Sequence, residues 1–257
     1  MSTLTDTWVM LGRQYRLLIR QPIWIFIMLV QPMIWLLLYS QLFGKLPRLG
    51  GFGTASYIEY LTPAIVVMTS FFGGMWSGMT TVNELHHGVF ERFLATPLSP
   101  GSLIVSQVVR AGITGAAEGV IILLVGLALG AHVHSGVLGW LVILLVAFVI
   151  GAAFSGVSHA FALLMRREET MIALANFVGL PLMFLSTMLI SSSAMPPWIR
   201  HVASLNPVNW AADAARAAEL PNTDWGSVGV HLALLFGVTA LTMAWALSAL
   251  RRYKASL

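Results

Sequence analysis

The sequence predicts an all-α integral membrane protein with six transmembrane helices, and three observations predict it. Only 9% of the 257 residues are charged and 58% are hydrophobic, against roughly 25% charged in a soluble domain. Charge-free runs have bilayer length: residues 21–44 and 60–83 contain no Asp, Glu, Lys or Arg, and 47 residues separate Glu118 from Arg166 without one. About 20 apolar residues cross the hydrocarbon layer. The Lys and Arg residues, finally, gather at the margins of these runs. That placement reads as membrane orientation, not as a nucleic-acid surface, despite a net charge of +4. The absence of cysteine excludes a disulfide framework, thiol catalysis and a thiolate metal site.

Residues 1–20 begin the chain, and within them 4–20 have the pattern of an amphipathic interfacial helix. Leu4, Trp8, Leu11, Tyr15 and Leu18 recur every three or four residues, with Arg13, Arg16 and Arg20 on the opposite face. A signal peptide is the rival, but the following charge-free run is too long for its apolar segment. Span one is 21–44, with Pro32 predicting a kink. Residues 45–58 are a glycine-rich loop. Span two is 60–83 and carries Gly74 and Gly78, a small-xxx-small pair that permits close helix approach. Residues 83–102 form a polar island. Gly88 frees the backbone to turn, and Val89, Phe90, Phe93 and Leu94 share one face of a two-turn helix, with Glu91 and Arg92 off it. Thr96-Pro97 stops that helix, and Ser99-Pro100 starts the next. An apolar face of this kind docks onto something.

Span three is 103–131 and span four 137–164, hinged at His132–Gly136. The turn Arg166–Glu169 leads to span five, 170–191, with Pro181 inside it. Residues 194–221 are too polar to span. Two short helices broken at Asn206-Pro207, bearing Trp198 and Trp210, read as a re-entrant outer hairpin. Span six is 225–250. The side holding the termini carries ten of the 14 Lys and Arg residues; Lys45, Arg48, Arg200 and Arg216 fall on the other. The positive-inside rule places both termini in the cytoplasm.

Glu118 is the sharpest single residue, a carboxylate about 12 Å deeper than Arg110 along a helix. It reads either as a functional group facing inward or as a hydrogen-bonded glutamate between helices. It also supports an alternative class, a proton-coupled drug antiporter with Glu118 as carrier, although no inverted repeat accompanies it. Ser155 and His159 suggest a membrane protease faintly; at i and i+4 on one helix, with no third group, they read better as packing glue. His86 and His87 with Glu84 make a poor metal site, because adjacent histidines point apart on a helix. His132 and His134 belong to the outer turn.

Three segments carry a family resemblance: Ser56–Pro63, entering span two; Glu91–Leu98, in the polar island; and Leu205–Trp210 with Asp213 and Arg216. In this order, in a chain of six spans, they resemble type-2 ABC exporter permeases. Gln31-Pro32 and Phe184–Ser186 are similar to the drug-export branch, the daunorubicin-resistance permeases. The chain departs from the family at Ala64, where glycine is common, and in the polar run Ser191–Ser193. The resemblance implies a permease that is not itself an enzyme and holds no cofactor. ATP and Mg would lie on a separate ABC ATPase in two copies, in keeping with the lack of a G-x-x-x-x-G-K-[ST] loop here. It implies a second permease chain as partner, contact with membrane lipids, and a small amphipathic substrate. It implies an ATPase-coupling element at Glu84, His87, Gly88, Val89, Phe90, Glu91, Arg92, Phe93, Leu94 and Pro97. A substrate pathway is expected along Gln31, Met68, Phe72, Met75, Glu118, Phe177, Phe184 and Met188. The outer hairpin would act through Pro196, Trp198, Asn206, Pro207, Asp213 and Arg216.

Overall fold

The structure, a computed structural model, describes residues 12, 22–45, 56–94, 99–220 and 223–255. The expected interfacial helix, most of the glycine-rich loop and Thr96-Pro97 lie outside the described residues. Every regular element among those described is helical. In order they are α1 (Pro22–Leu42), α2 (Tyr57–Trp76), α3 (Gly78–His86), α4 (Val89–Leu94), α5 (Pro100–Ala128) and α6 (Gly136–Met165). There follow α7 (Glu168–Leu174), a π-helical turn (Ala175–Gly179), α8 (Leu180–Phe184), a 3₁₀ turn (Ser192–Ala194), α9 (Pro197–Ser204), α10 (Pro207–Ala217) and α11 (Trp225–Ala255). Four helical stretches among the described residues are long and apolar enough to cross a membrane: α2 with α3, α5, α6 and α11.

Helix α2 is the hub. It is buried along most of its length and packs against α1, α5, α6 and α10. Its glycines explain how closely α6 approaches. A Cβ at Gly74 would lie 2.4 Å from the Gly151 carbonyl oxygen, and one at Gly78 would lie 2.5 Å from that of Ser158. The pair Gly74/Gly78 therefore does what its spacing predicts. Between them Ser77 interrupts the helix, its hydroxyl donating to the Gly74 carbonyl at 2.6 Å and meeting Ser155 Oγ, whose proton it can accept, at 2.8 Å. Helix α10 joins the same core through Ala211, Ala212, Ala214 and Ala215, all fully buried; alanine's small side chain lets its backbone sit close to its neighbours.

Span five, expected as one helix over 170–191, is instead broken into α7, the π turn and α8, with no regular helix from 185 to 191. Pro181 supplies the physical reason. It has no N–H to bond the carbonyl four residues back, and its ring crowds that turn. The widened π turn lies immediately before it.

A second, smaller core closes the α4 end of the bundle. Phe90 is fully buried there with Leu103, Ile104, Leu163 and Leu250, and its ring meets Tyr253 edge-to-face at 5.6 Å between centroids. This corrects the expectation that the apolar face of residues 89–94 is free for a partner. Phe90 is engaged by its own chain, because α11 runs on past the bundle to place Tyr253 over α4, and Phe93 packs partly against the same cluster.

Candidate functional site

A cavity of about 570 Å³ opens among α1, α2, α5 and the broken segment after α7. On α2, Met68, Phe72 and Trp76 fall at i, i+4 and i+8, one stripe of the helix. On α1, Gln31 and Trp35 repeat that spacing, with Pro32 between them. Glu118 comes from α5, and Ala175, Asn176, Leu180, Met183 and Phe184 come from the π turn and α8. The π turn matters because it carries Asn176 onto the cavity wall, where its Nδ2 donates to the Ile172 carbonyl at 2.8 Å. Thr69 Oγ1 likewise donates back to Ile65 at 2.9 Å. Glu118 is only 7% exposed, borders the cavity, and has no hydrogen-bond or ion-pair partner among the described residues.

The segment expected as an outer hairpin, α9 and α10, is a staple for the broken helix of residues 168–191. Asn206 caps α10, its Oδ1 accepting from Val208 N at 2.9 Å, while its Nδ2 donates to the carbonyls of Leu182 and Leu185 at 2.6 and 2.9 Å. Those are orphan carbonyls at the end of α8, and one side chain answers both termini. Asn209 Oδ1 accepts from Thr187 N at 2.8 Å. Arg216 then donates to the carbonyls of Thr187 and Met188 at 2.7 Å each, to Thr187 Oγ1 at 3.0 Å and to the Tyr60 carbonyl at 3.2 Å. Its guanidinium lies 3.7 Å from the Tyr60 ring centroid. Asp213 completes the group, accepting from Thr187 Oγ1 and Asn209 Nδ2 at 2.9 and 2.7 Å. Irregular backbone inside a membrane protein needs such substitutes for helical hydrogen bonds. Beside this staple Glu219 is almost fully buried. Burial, with the nearby Glu59 carboxylate adding to it and Arg216 opposing, pushes Glu219 up to about 9. His132 faces Glu59 at 3.7 Å.

At the other end Gly88 adopts φ +63°, the turn its residue type permits, and sets α4 across the end of α3. A seam of buried polar groups runs from here up the α3–α6 interface. Glu84 accepts from Gln107 Nε2 at 2.9 Å, and Gln107 Oε1 accepts from Thr81 Oγ1 at 2.9 Å. Thr81 Oγ1 also meets His159 Nδ1 at 2.8 Å. Ser158 Oγ accepts from Gly78 N at 3.0 Å and donates to the Met75 carbonyl at 2.5 Å. Ser155 and His159 thus serve α3, each bonded to a different residue, which is the packing role and not a nucleophile–base pair.

Residues 5–220 match the profile of ABC-2 type transporters. The chain belongs to the ABC-2 type transporter family. Its relatives include the ycf38 product of Porphyra purpurea, named for a transport permease, 30% identical over 207 residues covering 80% of this chain and 70% of that one. The daunorubicin resistance ABC transporter permease DrrB1 of Streptomyces coeruleorubidus is 26% identical over 246 residues, 93% of this chain and 82% of its own. The inner membrane transport permease YadH of Escherichia coli is 24% identical over 225 residues, 82% and 80% of the two chains.

In this ABC-2 permease the expected pathway residues divide. Gln31, Met68, Phe72, Glu118 and Phe184 all line the cavity described above. Met75 is fully buried in the core, Met188 is buried under Arg216, and Phe177 is 82% exposed, off the cavity wall. The sequence did not single out Trp35, Thr69, Trp76 or Asn176. Trp76 was findable as the next step of the Met68–Phe72 stripe; Asn176 was not, because a π turn shifts the register. Among the residues expected to couple to an ATPase, His87 and Arg92 are exposed, and Gly88, Val89, Glu84 and Phe93 are half-buried. The side chains of Glu91 and Leu94, and Pro97 altogether, lie outside the described residues. In the hairpin, Trp198 and Pro196 are exposed while Asn206 is buried.

Proposed function

We propose that this ABC-2 permease is the membrane half of an ATP-driven exporter that moves an amphipathic, drug-like or lipid-like molecule out of the cytoplasm or the inner leaflet. The single observation that carries the reading is the cavity. It has drug-ligand size, two of its walls are α2 and α5, helices long and apolar enough to cross a membrane, and its surface is mainly aromatic and apolar with a few polar groups. The relative named for daunorubicin resistance points the same way. In this reading the chain crosses the cell or inner membrane six times with both termini in the cytoplasm. It pairs with a second permease chain, and two copies of an ABC ATPase bind at α4, using ATP and Mg on their own chains. With Phe90 engaged internally, the docking surface is the exposed rim around His87, Gly88 and Arg92. The adjoining recess of about 380 Å³ bordered by His86 and Arg166–Glu169 extends it.

The test is efflux from proteoliposomes holding the permease and its cognate ATPase. Export should require ATP and survive collapse of the proton gradient by an ionophore; Glu118→Gln should alter its rate or substrate range without making it depend on the gradient. Arg92→Glu should reduce co-purification of the ATPase while leaving the permease monodisperse. A second reading, a proton-coupled antiporter, is favoured by one observation, the isolation of the Glu118 carboxyl in the cavity. Export that proceeds without ATP, needs the gradient and vanishes in Glu118→Gln would establish that reading in place of the first.

A further inference from the structure

The cavity has a charge character as well as a size. Its wall presents four ring systems, Trp35, Phe72, Trp76 and Phe184, and one carboxylate, Glu118, with no Lys, Arg or His among the lining residues. Its smaller polar groups are arranged in the same sense. Thr69 gives its hydroxyl proton to the Ile65 carbonyl and Asn176 gives an amide proton to the Ile172 carbonyl. In each case that proton is turned back into the residue's own helix and the side-chain oxygen remains an acceptor, while Gln31 adds an uncharged amide to the wall. A buried carboxylate without a partner is costly in an apolar surround, and the complement that offsets this cost is a cation. Ring faces attract a cation for the same electrostatic reason, since their quadrupoles present negative charge.

From this juxtaposition we infer that the cavity between α1, α2, α5 and the π turn is a binding site for an organic cation with an apolar body. The positive centre sits at Glu118, and the body lies against Trp35, Phe72, Trp76 and Phe184. The inference rests on the export reading for its physiological sense, but the site binds its ligand at equilibrium with no ATPase present. An anionic lipid or detergent is disfavoured by the same carboxylate, and a neutral amphiphile leaves Glu118 without a partner.

The experiment uses the purified full chain in lipid nanodiscs and two probes of nearly the same shape and opposite charge, tetraphenylphosphonium and tetraphenylborate. Empty nanodiscs measured in parallel remove partition into lipid. Tetraphenylphosphonium should bind saturably and tetraphenylborate should not compete with it. Glu118→Gln should weaken the cation by about ten-fold or more, the scale of a lost desolvated charge pair. Glu118→Asp, which keeps the charge, should retain the preference for the cation. Size-exclusion profiles confirm that both variants are folded. Equal binding of both probes, or a cation affinity unchanged in Glu118→Gln, would overturn the inference, because either result would mean that the cavity selects by shape alone. Export would then still stand or fall on the ATP-dependent efflux assay, so the two conclusions fail separately.

Discussion

Arg216 answers four acceptors and one ring, and no other residue type has the geometry to do so. Its fork delivers two 2.7 Å bonds to consecutive carbonyls, those of Thr187 and Met188, in a segment with no helical hydrogen bonds of its own. Arg216→Lys keeps the charge but offers a single point of donation, and Arg216→Ala leaves both carbonyls unpaired. At roughly 1–3 kcal/mol for each buried group left unsatisfied, Arg216→Ala should destabilise the protein by about 3 kcal/mol and Arg216→Lys by less, read from thermal unfolding in detergent. Lys as stable as the parent would show that charge, not the fork, is what the site requires. Glu219 gives the same region a pH response. Folded, it holds its proton up to about 9; its ordinary value is 4.5. The folded state therefore binds the extra proton between those values, and stability from this group is complete below 4.5 and falls as pH rises through 9. The charges around it are Glu59, paired with His132, and Arg216, paired with Asp213. Unfolding temperature should drop between about pH 4.5 and about pH 9, and Glu219→Gln, neutral throughout, should flatten that drop.

Among the elements, α2 shows what the sequence discloses and what it hides. Gly74 and Gly78 were legible because a membrane helix has only its small residues with which to admit a neighbour. Adding a side chain at Gly78 would collide with the backbone of Ser158, which cannot swing aside as a flexible side chain would. Gly78→Val should therefore cost about 1–3 kcal/mol as overpacking, while Val at Gly73, where a Cβ meets nothing within 4 Å, should be tolerated; comparing the yields of folded protein checks this. Span five was not legible as it stands. Its apolar content and length satisfy a spanning helix, and Pro181 announces only a disturbance. The end of α8 and the residues after it depend on partners 20 or more positions away, Asn206, Asn209 and Arg216, which no local pattern connects to them. Phe90 was misread for a related reason. Periodicity places it on an apolar face but does not say that α11 reaches back with Tyr253 to cover that face. The turns at Gly88, Ser99-Pro100 and Asn206-Pro207 were legible, because turn and cap chemistry acts within a few residues and so can be read locally.

At the scale of the whole molecule, two apolar cores are joined by the polar seam between α3, α5 and α6. The larger core borders the cavity; the smaller holds α4 through Phe90. In the ATP-driven reading a push on α4 would travel toward the cavity wall along α3 and α2, the same helix but for Ser77, and the seam would set whether α3 moves with α5 and α6 or alone. Gln107 is its junction, bonded at one end to Glu84 and at the other to Thr81, while fully buried itself. Gln107→Leu fills the same space and removes both bonds. It should lower stability by about 1–3 kcal/mol, the cost of buried groups left unsatisfied. In the ATP-driven reading it should also separate the two activities, leaving hydrolysis by the bound ATPase near the parent rate while export falls. Gln107→Glu keeps the acceptor toward Thr81 but sets a second carboxylate against Glu84, so its export should be the lower of the two variants above the point where both carboxylates ionise. Export and hydrolysis falling in parallel in Gln107→Leu would show that the seam supports folding of the α4 end and does not transmit its movement.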